Sequence, residues 1–135
     1  MKVSYGQEWL RKARADYRAA HRALADSKKY PDQAEITCFH AHQCIEKFLK
    51  ALLAAQKHPV TKTHDLAALL HQLKKINKAP RISTEDIRTL NQYSVEIRYP
   101  GASATPAEAK LTVKKMRKIV QETEKILENQ LDTEL

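Results

Sequence analysis

Apolar residues recur at steps of three and four along most of this chain, the spacing of amphipathic helices. From about Gln7 to Lys28 the stripe is Trp9, Ala13, Tyr17, Ala20 and Leu24, and the cluster "KKYPD" ends it. Pro31-Asp32 opens the strongest segment, which runs to about Lys57. Its stripe is Ala34, Cys38, Ala41, Ile45, Phe48 and Leu52, with Leu49 and Leu53 on the flank. "KHPVTKTHDL" reads as a connection, with Thr63 as N-cap of a short helix from His64 to Ile76. Ser83 or Thr84, followed by Glu85 and Asp86, predicts a fourth helix through Ile87, Leu90, Ser94 and Ile97. Thr105-Pro106-Ala107-Glu108 is a capping box with proline at the first helical position. The helix it starts carries Val113, Met116, Val120, Thr123 and Leu127, and the polar tail from Glu128 is read as its end. Short connections predict antiparallel neighbours. The expectation is one all-α domain over 1–135, an up-and-down bundle of about five helices.

Composition supports this pattern. Two glycines and five prolines in 135 residues leave long uninterrupted elements, and the chain is rich in strong helix formers. No apolar run approaches the eighteen or so residues of a membrane helix. The N-terminal stretch "MKVSYGQEWL" has no apolar signal-peptide core. Cys38 and Cys44, six apart, suit neither a zinc knuckle nor a redox pair; they are expected to be buried thiols of a reduced, cytoplasmic protein.

The net charge of +8 is uneven. Residues 1–29 hold eight Lys/Arg against three acids, residues 30–104 ten against seven, and residues 105–135 six against six. The excess on the first helix, through Lys2, Arg11, Lys12, Arg14, Arg18 and Arg22, can attract nucleic acid or an acidic partner, or can simply be a solvated face. No interleaved aromatics mark a strand-binding groove. On the second helix, Ile36 and Phe39 lie nearly opposite the main stripe and share that side with Gln43, Glu46 and Lys50. Such a second apolar patch means a second contact. Phe39 is either a second-layer core residue or part of a dimer or partner interface.

Six histidines raise the question of a metal. His40 and His42 point to different faces of one helix, and His64 and His71 are about 10 Å apart along another. No metal site and no cofactor are expected. There is no phosphate loop and no GxSxG. A small polar constellation remains. His64-Asp65 opens the third helix, where backbone N–H groups can receive an anion. Asn91 and Arg98 lie on one ridge of the fourth, and Arg98-Tyr99 offers a guanidinium fork beside a phenol, suited to phosphate and base stacking. The structural alternatives are helix capping by His64-Asp65 and an ion pair for Arg98.

Read in order, Ala13, Asp16, Tyr17 and Ala20, then Phe39, Gln43, Glu46, Lys47 and Lys50-Ala51-Leu52-Leu53, then Thr63-His64-Asp65-Leu66, Arg98-Tyr99-Pro100 and Thr105-Pro106-Ala107-Glu108-Ala109 form a pattern. It resembles the HEPN family (higher eukaryotes and prokaryotes nucleotide-binding domain) over nearly the whole chain. The resemblance implies a helical bundle that commonly dimerises. Many stand-alone members are similar to proteins encoded beside a minimal nucleotidyltransferase, in two-component or toxin–antitoxin pairs. Others are metal-independent ribonucleases carrying an Arg-x4–6-His motif. Arg98 is followed through Thr105 by no histidine, and the formal match from Arg14 to His21 falls in the first helix, outside the motif's place.

The resemblance therefore implies a non-catalytic, cytoplasmic accessory protein that binds a nucleotide, a nucleotidyltransferase partner, or both. His64 and Arg98 would contact phosphate, with Asp65 and Asn91 beside them. Tyr99 would stack or fix the helix end, and Lys47 and Lys50 would supply positive field. Ile36, Phe39 and Gln43 would form the homodimer or partner surface. An RNA-cleaving toxin and a purely structural dimerisation module are the alternatives.

Overall fold

A computed structural model describes residues 5–94 and 103–134, with side chains through Asn129. Five helices follow one another: α1 (Tyr5–Asp26), α2 (Gln33–Ala55), α3 (Leu66–Lys75), α4 (Thr84–Asn91) and α5 (Pro106–Glu134). The described residues contain no strand. The all-α bundle read from periodicity is the fold.

Local chemistry sets the helix ends. At α4 the Ser83 hydroxyl accepts from Asp86 N–H at 3.0 Å. At α5 the capping box closes reciprocally: Glu108 N–H donates to Thr105 Oγ1 at 3.1 Å, and Thr105 N–H donates to Glu108 Oε1 at 3.2 Å. The start of α3 differs from expectation. Its N-cap is Asp65, whose Oδ1 accepts from Ala67 N–H at 3.0 Å, while Thr63 Oγ1 accepts from Asp65 N–H. A carboxylate is favoured over a neutral hydroxyl at the positive end of a helix, so the cap lies two residues later. Helix α5 also continues to Glu134. The polar tail contains no glycine or proline, so nothing in its sequence stops the helix.

Helices α2 and α3 both end by Schellman geometry. Lys57 and Asn77 take φ of 57°, and the next N–H in each case returns to the helix, His58 to Leu53 O and Lys78 to Leu73 O, both at 3.0 Å. Asparagine tolerates this left-handed conformation. Lysine is an unusual occupant.

The core lies on α2, which packs against every other helix. Ala34, Cys38, Ala41, Ile45, Phe48 and Leu52 are all fully buried, as are Leu49 and Leu53. Leu66, Leu69 and Leu73 from α3, Ile87 and Leu90 from α4, and Val113, Met116 and Ile119 from α5 close around them. Contacts along the helices give their directions. Asp16 meets His40 and Lys47, Cys38 meets Thr112, and Arg14 meets Glu124. Helix α1 thus runs antiparallel to both α2 and α5, and α5 runs the same way as α2. The first helix's stripe is only partly core: Ala13 and Ala20 are fully buried, but Trp9 is half-buried at the rim of a groove.

Candidate functional site

Residue 46 falls on the part of α2 that faces α3, which places a glutamate inside the fold. Glu46 and Lys50 are one helical turn apart, and their side chains are only 4% and 7% exposed. Lys50 Nζ donates to Glu46 Oε2 at 3.1 Å. The same ammonium lies 5.2 Å from the centroid of the Trp9 ring, a cation–π contact reached from α1. The other carboxylate oxygen accepts from His64 Nδ1 at 2.7 Å. His64 itself is 67% exposed. Its ring is therefore fixed on one side by a buried carboxylate and open to solvent on the other, with Nε2 outward. Such a nitrogen can donate to a phosphate oxygen or exchange a proton.

The backbone beside it is held as firmly. His42 is fully buried and its Nε2–H donates to the His64 carbonyl at 2.9 Å. His42 Nδ1 has no hydrogen-bond partner among the described residues. Burial holds this imidazole below the ordinary histidine range, against the opposing pull of Glu46. From the other side, Asn91 at the end of α4 clamps the start of α3. Asn91 Oδ1 accepts from Leu66 N–H at 3.0 Å, and its amide donates to Asp65 Oδ1 at 2.9 Å. Leu66 and Ala67 N–H, two of the groups that an anion would use, are satisfied by Asn91 and Asp65.

Lys47 belongs to a separate cluster. Asp16 of α1 is buried and receives Lys47 Nζ at 2.5 Å and His40 Nδ1 at 2.8 Å, both from α2. Burial opposes ionisation of Asp16, but the bonds from His40 and Lys47 prevail and hold its carboxyl below the usual range. Ile36, Phe39 and Gln43 are half-buried on the same helix. Neither Ile36 nor Phe39 joins the core clusters, and Phe39 makes an edge contact with the His40 ring. Arg98 and Tyr99 lie outside the described residues.

Of the residues named from sequence, the fold brings His64, Asp65, Asn91 and Lys50 together. It puts Lys47 with Ile36, Phe39 and Gln43 elsewhere on α2. No set of three or more His, Cys, Asp or Glu among the described residues is placed to hold a metal ion. Cys38 and Cys44 are free and buried, and burial pushes both thiols up.

Comparison with known proteins places the chain. The family model described as the HEPN domain matches residues 7–127. The chain belongs to the HEPN family. Two solved structures share this HEPN fold. The crystal structure of TT1696 from Thermus thermophilus is 24% identical, with a TM-score of 0.73, covering 92% of this chain and 99% of that one. ST0689, an archaeal HEPN homologue, is 20% identical with a TM-score of 0.65, covering 93% and 99%. None of the curated proteins matches the chain. At these identities the neighbours speak for the fold. No helix among the described residues is long and apolar enough to cross a membrane.

Four residues of this HEPN domain carry no site role from the sequence alone: Glu46, Asp16, His42 and Trp9. Asp16 had a visible signal, a carboxylate between Ala13 and Ala20 on an apolar stripe. Such a group must find partners inside. His42 and Trp9 had none, because their roles depend on residues distant in sequence.

Proposed function

We propose that this HEPN protein is a binding component and not a catalyst: it takes a nucleotide, pairs with a minimal nucleotidyltransferase, or does both, in a two-component or toxin–antitoxin type of system. The observation that carries the reading is His64, an exposed imidazole oriented by a buried, charge-balanced carboxylate. In this reading His64 Nε2 and Arg98 contact phosphate and Tyr99 stacks or fixes the chain beside them. Asp65 and Asn91 hold the corner on which His64 sits. Lys47 and Lys50 are already paired with acids, so they add fixed positive field and do not contact the ligand directly. Ile36, Phe39 and Gln43 supply the homodimer or partner face.

Calorimetric titration with ATP tests the site. Wild type binds, while His64→Ala and Arg98→Ala lose binding and keep the helical circular dichroism. Equal affinity in wild type and both variants sinks the assignment. The Glu46–His64 pair also has the form of an oriented acid–base histidine, which favours RNA cleavage as the second reading. Incubation of the protein with RNA in EDTA separates the two: cleavage that disappears in His64→Ala overturns the non-catalytic reading.

A further inference from the structure

A concavity among the described residues lies away from His64. It is a half-open groove of about 1100 Å³ between the start of α1, the end of α2 with the loop after it, and Leu127 of α5. Its floor is aliphatic. Ala54 and Ala55 of α2 face it above the fully buried Ala51, with Leu10, Val60 and Leu127 around them. The groove exists because the α2 residues here are small: at this end the helix presents alanine where it presents Phe48, Leu49 and Leu52 to the core.

One wall is cationic. Arg11, Arg14 and Arg18 all line the groove. At steps of three and four they form one ridge of α1, spanning about 10 Å at 1.5 Å per residue. Arg14 reaches Glu124 at 3.5 Å and is still 53% exposed. Arg11 and Arg18 have no acidic partner among the described residues. The opposite rim carries Lys57, held at φ 57° where glycine would fit at lower cost. The groove is thus lined by four cations, one of them at a left-handed position.

We infer that this groove docks an amphipathic helix of a partner protein, with a leucine-type stripe on the alanine floor and acidic residues at three- and four-residue spacing against the arginines. The match is one of charge and period. Two helices side by side share a repeat, so acids one and two turns apart meet Arg11, Arg14 and Arg18 in succession. A fatty-acid anion has one charged head for three arginines, and an open groove leaves its tail wet. Tyr5, Trp9 and His58 also line the groove and give an RNA strand faces to stack on, but its bases would leave the aliphatic floor uncovered, and RNA is therefore the competitor in the test. The inference stands independently of any ligand at His64. The Lys50–Trp9 contact nevertheless links the groove wall to the Glu46–His64 pair.

Trp9 is the sole tryptophan and lines the groove, so its emission reports occupancy. The probe is a synthetic helical peptide with leucine on one face and glutamate on both flanks. Its composition-matched scramble, a lysine-for-glutamate version, oligouridylate and dodecanoate are the comparators. The glutamate peptide should shift Trp9 emission to the blue and saturate. The double variant Arg11→Glu with Arg18→Glu should weaken it by at least about tenfold and should now take the lysine peptide. Ala54→Phe, at a half-exposed floor position with all charges kept, should weaken the labelled peptide by a similar factor in an anisotropy assay. Equal binding of the scramble, full affinity in Ala54→Phe, or displacement of the peptide by oligouridylate or dodecanoate at lower concentration would each overturn the inference.

Discussion

Two buried carboxylates of this protein have the same kinds of neighbour and differ in how far those neighbours reach solvent. Asp16 and Glu46 are each bracketed by one histidine and one lysine. Around Asp16 both cations are partly covered, His40 at 30% and Lys47 at 23% exposed, and they tie α1 to α2. Around Glu46 the lysine is sealed beneath Trp9 while the histidine stands two-thirds in solvent. The first cluster satisfies its charges across a helix interface. The second pairs the carboxylate with a sealed lysine and leaves the histidine exposed. The difference separates a cluster closed between two helices from one that holds a side chain out toward solvent.

Removing the sealed charge should break this contrast most severely. Glu46→Gln strips Lys50 of its counter-charge in a buried site, and such a break costs about 3–5 kcal/mol. Urea denaturation should show it as a lowered midpoint with an unchanged slope. A loss below about 1 kcal/mol would mean that Lys50 escapes to water, and the sealed description fails.

Asp16→Asn should cost less, about 1–3 kcal/mol, because His40 and Lys47 can turn toward solvent. Its pH dependence follows from the depressed carboxyl. A group whose folded value lies below its unfolded value stabilises above the unfolded value and loses that contribution as pH falls through the folded one. The gap between wild type and Asp16→Asn should stay constant from neutral pH to about pH 5 and close below about pH 4. A gap that persists at lower pH would mean that the amide disrupts packing and that charge is not the cause.

The smallest stability effect belongs to His64→Ala. An exposed histidine paired at one atom contributes under about 1 kcal/mol, so thermal unfolding should barely move. In the proposed reading nucleotide binding is lost in the same variant. A large fall in melting temperature would instead make His64 a structural tie, joining it to the Asp16 class.

Much of the fold was legible along the chain. The α2 stripe was read position by position because a helix buried by four neighbours needs an unbroken apolar face. The capping box of α5 was legible because its two hydrogen bonds lie within four residues. The site was legible only in part. His64, Asp65 and Asn91 could be named from local chemistry, but not that Asn91 clamps Asp65 across twenty-six positions. Lys50 is expected from the sequence only as a source of positive field, since period alone does not tell a solvated lysine from one sealed under an indole.

The sequence by itself determined the five helices, the capping box of α5, the apolar face of α2 and membership of the HEPN family, because periodicity, capping and motif order are properties of neighbouring residues. Tertiary structure decided which charges are consumed and which remain available. Asp16 and Lys47 neutralise each other between helices, His64 is aimed by a carboxylate eighteen residues away, and three arginines of α1 become one wall of a groove whose floor belongs to α2. Whether a charge is spent depends on distance in space, and only the packed chain sets that distance.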